Sequence, residues 1–203
     1  MTFMESNVAR VLRRLKIEDS ADRGVLDRPR EERLFTLHPD SAELVRIMVQ
    51  AAECKNIVEI GVAHGYSTIC LAEAARSTGG KIKSLEINPK AIEFARQNLA
   101  EAGLSDMVEF LEGDARELLR AIQGPVEFVL MDCWEDVYID CLKLIVPLLR
   151  PGGLLVADNV VPGNPESDGY VRALHENPEM DSVSVPIGRN IEVSVKRLWQ
   201  ASE

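Results

Sequence analysis

Three absences narrow the reading of this 203-residue chain. There is no C-x-x-C pair: Cys54, Cys70, Cys133 and Cys141 stand apart, as reduced thiols do, three of them in apolar settings. The histidines His38, His64 and His175 are too scattered for a helical zinc motif. No apolar run approaches the roughly 20 residues of a membrane span. The segment MTFMESNVARVLRRLK lacks a secretory leader's apolar centre and small-residue cleavage site, so the expected location is cytoplasmic. Basic residues are also scarce relative to acids, 23 against 33, for a net charge of −10. Tight binding to phosphate backbones usually needs a basic surface, so nucleic acid is a disfavoured partner. A small neutral or cationic acceptor, or a metal, suits the charge better.

What is present is a periodic pattern. Val8, Val11, Leu12 and Leu15 fall at helical spacing, which predicts an amphipathic helix over 6–16. A charged connector at 18–37 follows, then a second helix starting at His38-Pro39-Asp40-Ser41. From Asn56 short apolar runs alternate with helical stretches. The runs are Ile57–Ile60, Ile82–Leu85, Val108–Leu111, Val126–Met131 and Leu154–Ala157, with helices expected near 67–76, 89–103, 114–122 and 136–149. Such alternation means βαβ units and a parallel sheet, with ligands at the carboxyl ends of its strands. A helix near 168–177 and strands Ser182–Pro186 and Ile191–Val195 around Gly188-Arg189-Asn190 predict an antiparallel hairpin closing the sheet. The expected organisation is one domain over 1–203, with 1–55 as a helical extension and 56–203 as the alternating core.

The strand ends carry the chemistry. Glu59-Ile60-Gly61-Val62-Ala63-His64-Gly65-Tyr66-Ser67 follows the first strand and opens a helix. Its glycines admit close backbone approach, but the spacing is not the dinucleotide fingerprint. Glu59 suits an ammonium and Ser67 a carboxylate, the two ends of an amino-acid moiety; a plain strand–helix turn is the simpler alternative. Glu86 ends the second strand, where an acid accepts from ribose hydroxyls unless it is merely a solvated surface group. Asp114, after the third strand, can accept from an exocyclic amine, cap a helix, or both. Asp132 and Asp158 tip two further runs, and Asn159 follows at once. Three hard oxygen ligands at one sheet edge suit a divalent metal. The competing reading is a pair of strand-end acids capping helices, which leaves Asn159 without a role.

Together these segments resemble the S-adenosylmethionine-dependent methyltransferases of the Rossmann-like class, over roughly residues 35–198. Asp132-Cys133-Trp134-Glu135-Asp136-Val137-Tyr138 and Ala157-Asp158-Asn159-Val160-Val161-Pro162-Gly163 narrow the resemblance to the metal-dependent O-methyltransferases of the catechol O-methyltransferase type. The resemblance implies a doubly wound, mainly parallel seven-stranded sheet. It implies S-adenosylmethionine and Mg2+, or another divalent cation, as cofactors, a small hydroxylated, catechol-like or other vicinal-diol acceptor, 1–55 as a lid over that acceptor, 56–203 as the cofactor-binding core, and a homodimer. It assigns Asp132, Asp158 and Asn159 to the metal, and Glu59 and Ser67 to the methionine end of the cofactor. Glu86 falls to the ribose, Asp114 and Ala115 to the adenine edge, Trp134 to the adenine face, and Gly61 and Gly65 to the turn beneath.

Glu135 departs from that pattern, because the catechol enzyme has a lysine base there. A carboxylate inverts the charge beside the metal, yet it can serve as the base itself, so Asp132 and Glu135 are the catalytic candidates. Cys133 replaces a histidine, and Ala63 and Ala115 are smaller than their counterparts. Two other functions stay open: methylation of a hydroxylated tRNA base, supported only by the Arg10–Lys16 cluster, and cofactor binding with weakened catalysis.

Overall fold

A computed structural model describes residues 6–25 and 33–198. Its frame is a seven-stranded sheet in the order β3-β2-β1-β4-β5-β7-β6. The strands are β1 (Asn56–Ile60), β2 (Lys81–Glu86), β3 (Val108–Glu112), β4 (Val126–Met131), β5 (Leu149–Ala157), β6 (Met180–Val185) and β7 (Ile191–Lys196). The first five run parallel; β7 pairs antiparallel with both β5 and β6. The expected doubly wound sheet with a closing hairpin is therefore present.

The two-residue period of the strands sorts side chains between two cores. Ile57, Phe128, Leu130 and Val156 face one way, packed with α1 (Asn7–Asp22), α2 (Pro39–Ala51), α3 (Tyr66–Thr78) and α4 (Pro89–Ala102). Val58, Ile60, Val129, Met131 and Leu155 face the other, under α5 (Ala115–Ala121), α6 (Tyr138–Leu148) and α7 (Pro165–His175). Three helices open on proline at their first turn, where no amide donor is missed. Their caps are His38, Asn88 and Asn164, each accepting from a backbone N–H two residues on.

Several boundaries differ from the sequence expectation. The first helix runs on to Asp22, past the expected end at residue 16, because Asp19 and Asp22 turn inward instead of facing solvent. Asp19 accepts from the Thr36 amide at 3.3 Å and Asp22 from the Leu34 amide at 3.2 Å. Their carboxylates thus anchor the far end of the 18–37 connector, whose middle, 26–32, lies outside the described residues. β5 begins at Leu149, five residues before the apolar run, through Arg150-Pro151-Gly152-Gly153. No described helix is long and apolar enough to cross a membrane.

The sheet order places a switch point between β1 and β4, where successive crossovers leave in opposite directions. There the ladder continues one residue past each strand. The Asp132 amide donates to the Ile60 carbonyl at 2.9 Å, the Asp158 amide to Met131 at 3.0 Å, and the Gly61 amide to Leu85 at 2.9 Å. Three hydrogen-bonded strand tips hold Gly61, Asp132 and Asp158 in fixed register.

Candidate active site

A cavity of about 1000 Å³ opens over these tips. Its walls include Gly61, Ser67, Glu86, Asp114, Ala115, Asp132, Trp134, Glu135, Asp158 and Asn159, so most of the sequence candidates converge on one space. Glu59 lies just beneath it, fully buried. Gly65 lies under the turn, and a Cβ there would sit 3.0 Å from the Ala95 Cβ of α4.

Glu59 is held by two hydroxyls. Ser67 Oγ donates to one carboxylate oxygen and Ser84 Oγ to the other, each at 2.7 Å. Ser67 is thus oriented by Glu59, a pairing that sequence spacing does not reveal. Burial drives the Glu59 pKa up to about 7, against the pull of the two hydroxyls. The folded protein therefore holds this proton more tightly than the unfolded chain does. Its contribution to stability is complete below about pH 4.5 and lost as pH rises to about 7. The loss is on the order of 3 kcal/mol. Urea unfolding of cofactor-free protein at pH 5 and pH 8 should show this fall, and Glu59→Gln should reduce it; an unchanged difference in the variant would refute the assignment.

Glu86 pins the glycine turn. It accepts from the Val62 amide at 2.8 Å and the Ala63 amide at 3.3 Å, while its other oxygen takes the Asn88 amide at 2.9 Å. The carboxylate faces the cavity as part of a built loop, not as a solvated surface acid. Asp114 caps α5 through the Arg116 amide at 2.8 Å and grips the Arg116 guanidinium at 2.5 Å. Those bonds lower its pKa to about 2. The capping reading of Asp114 is therefore realised, with Ala115 beside it in the same wall. From below, Asn98 of α4 donates to the His64 carbonyl at 2.8 Å and accepts from Arg14 of α1 at 2.7 Å. Arg14 and Arg10 both pair with Glu101, so this part of the Arg10–Lys16 cluster docks α1 onto α4.

The acid cluster lies at the β4 and β5 tips. Asn159 Nδ2 donates to Asp132 Oδ1 at 3.0 Å. Asn159 also adopts a left-handed φ of +57°, a conformation asparagine tolerates better than most residues, so the backbone gives it a second role. Asp158 is 4% exposed, and its Oδ1 is buried without a hydrogen-bond partner among the described residues. Burial, and then the charge of Asp158, push the Asp132 pKa well up. Burial likewise raises Asp158, to about 6, with Glu135 adding in the same direction. Behind them the buried Tyr138 hydroxyl donates to the Asp158 carbonyl at 2.9 Å and fixes the loop. Among the described residues no group of three His, Cys, Asp or Glu side chains is arranged to hold a metal. The present trio is two carboxylates and an amide. Trp134 is half exposed and meets Phe35 edge-on, with ring centroids 5.7 Å apart.

Comparison with known proteins agrees with this arrangement. A family model described as O-methyltransferase matches residues 27–194. A catechol O-methyltransferase of Mycobacterium tuberculosis is 33% identical over 175 residues, covering 74% of this chain and 79% of the relative. A catechol O-methyltransferase of Niastella koreensis is 32% identical over 131 residues, and the match spans 59% of its length. A caffeoyl-CoA O-methyltransferase of Eucalyptus globulus is 28% identical, covering 78% of this chain and 73% of that one. In structure, a cofactor-bound protein from MTB superposes with a TM-score of 0.80 at 25% identity, over 93% of this chain and 90% of its own. The chain belongs to the O-methyltransferase family, and its activity is S-adenosylmethionine-dependent methyl transfer to oxygen.

Proposed function

We propose that the protein methylates a hydroxyl of a small vicinal diol with the help of a divalent cation, Mg2+ foremost. The unpartnered, buried Oδ1 of Asp158 carries this reading. An orphan acceptor this deep costs stability unless something fills it, and the neighbouring carboxylate of Asp132 makes that something a cation. The donor set fits. Asp132, Asp158 and the amide oxygen of Asn159, whose nitrogen is already committed to Asp132, are hard ligands of the kind Mg2+ takes. The cation would acidify the acceptor hydroxyl and fix its oxygen.

The remaining work falls to the chain. Glu59, seated by Ser67 and Ser84, receives the cofactor's ammonium, and that charge stabilises its ionised form. Glu86 takes the ribose hydroxyls on lone pairs left by the turn amides. Asp114 and Ala115 border the adenine, and Trp134 covers its face. Glu135 lines the cavity beside Asp132 and accepts the acceptor's proton on its carboxylate. With the cofactor bound, its sulfonium would supply the methyl to the acceptor oxygen, the C–S bonding pair staying on sulfur. Holding the two reactants in line is a large part of the rate gain.

The test is methyl transfer to a panel of catechols before and after chelation. Turnover should vanish with chelator and return with added Mg2+. Turnover that survives chelation sinks the metal; cofactor binding without transfer to any diol sinks the substrate class.

A further inference from the structure

The wall of the cavity also carries a cation that the reading above does not use, Arg189. Arg189 sits at the tip of the β6–β7 turn, over the β5–β7 end of the sheet. The turn is rigid. The Asn190 amide donates to the Ile187 carbonyl at 2.9 Å, and Asn190 and Val160 exchange two hydrogen bonds, at 3.0 and 2.8 Å. Its Gly188 is pressed against the start of α2, where a Cβ would lie 2.7 Å from the Cβ of His38. The tip therefore delivers Arg189 beside His38, in the same wall as Asp158, Phe35 and Trp134.

Of the other cations in the cavity wall, Arg23 is paired with Asp19 and Arg116 with Asp114, while Lys16 and Lys90 line it from α1 and α4. Arg189 makes no hydrogen bond or ion pair with the described residues; it acts on Asp158 only through space. A cation bound by Asp132 and Asp158 would neutralise those acids and leave the guanidinium unspent. His38 adds a donor. Its Nδ1 accepts from the Asp40 amide at 3.2 Å, which puts the proton of the neutral ring on Nε2. A planar fork and an N–H on one wall, with Phe35 and Trp134 nearby to flank a ring, match a carboxylate.

We infer that the acceptor is an anionic vicinal diol, an aromatic ring bearing a carboxylate that Arg189 and His38 bind. This rests on the diol reading above. It also departs from the neutral or cationic acceptor that the net charge suggested, because the charge of a whole chain does not describe one wall of a cavity.

The experiment compares 3,4-dihydroxybenzoate, its methyl ester and 3,4-dihydroxybenzylamine as acceptors, in the wild-type protein and in Arg189→Gln and Arg189→Lys. The acid should exceed the ester in kcat/KM by about tenfold or more, as a charge-assisted pair gives, with the amine lowest. Arg189→Gln should bring the acid-to-ester ratio near one, mainly through KM, and Arg189→Lys should keep part of it. Calorimetric binding of the same compounds to protein loaded with S-adenosylhomocysteine and Mg2+ reads the preference without turnover. Equal handling of acid and ester by the wild type, preference for the amine, or a ratio unmoved in Arg189→Gln would overturn the inference while leaving diol methylation standing. Tighter binding of the acid with no methylation of any of the three would sustain the carboxylate site at Arg189 and His38 and overturn the diol reading instead.

Discussion

Asp158→Ala should lower kcat/KM by about 10³-fold and at the same time make the metal-free protein more stable. The two effects have one cause. In the wild type a nearly buried carboxylate leaves one oxygen unpaired and faces the charges of Asp132 and Glu135. Removing it relieves that repulsion together with the desolvation cost of an unpaired buried polar group, itself about 1–3 kcal/mol. Removing it also strips a ligand from the site that fixes the acceptor oxygen. Loss of about 4 kcal/mol of transition-state stabilisation gives the three decades expected. Added Mg2+ should raise the melting temperature of the wild type and not of the variant. A variant that loses activity but also loses metal-free stability would mean that Asp158 is a structural group, and the metal reading would fall with it.

Gly61→Ala should be among the most damaging small substitutions in the chain. Gly61 has φ +89°, and a Cβ there would lie 2.1 Å from the Asp132 carbonyl oxygen and 2.7 Å from its carbonyl carbon. Both atoms are backbone, locked by the β1–β4 ladder, so neither can give way as a flexible side chain would. The left-handed φ costs about 1–2 kcal/mol and the overlap about 1–3 kcal/mol more, and cofactor binding should be lost as Asp132 is displaced. Gly79→Ala is the control. It shares a positive φ of +73° but has no atom within 4 Å of the added carbon. Chemical denaturation should separate the two by at least about 1 kcal/mol. Equal destabilisation would show that φ alone matters at both sites.

Much of the site was legible in the sequence because strand tips are legible. An apolar run followed by a carboxylate locates a residue at a sheet edge, and Glu86, Asp132 and Asp158 were found that way. What was not legible depends on packing between distant segments. Ser84 was hidden because it lies within a strand, and its role appears only when β2 pairs beside β1 and sets it against Glu59. The inward turn of Asp19 and Asp22 is hidden in the same way, since the amides of Thr36 and Leu34 that they accept from are displaced in sequence and offer no side-chain signal. Arg189 looked like a turn residue.

The sequence by itself determined the fold class, the order of strands and helices, and the kinds of side chain that tip each strand, because those follow from hydrophobic period and short-range turn chemistry. The tertiary structure decided how the tips act on one another. It set Asp158 against Asp132 without a partner for one oxygen, used Glu86 to build the loop, and brought Arg189 round to His38. Such couplings require segments far apart in the chain to be packed within a few ångströms, and the strength of an electrostatic interaction is set by that separation and by burial.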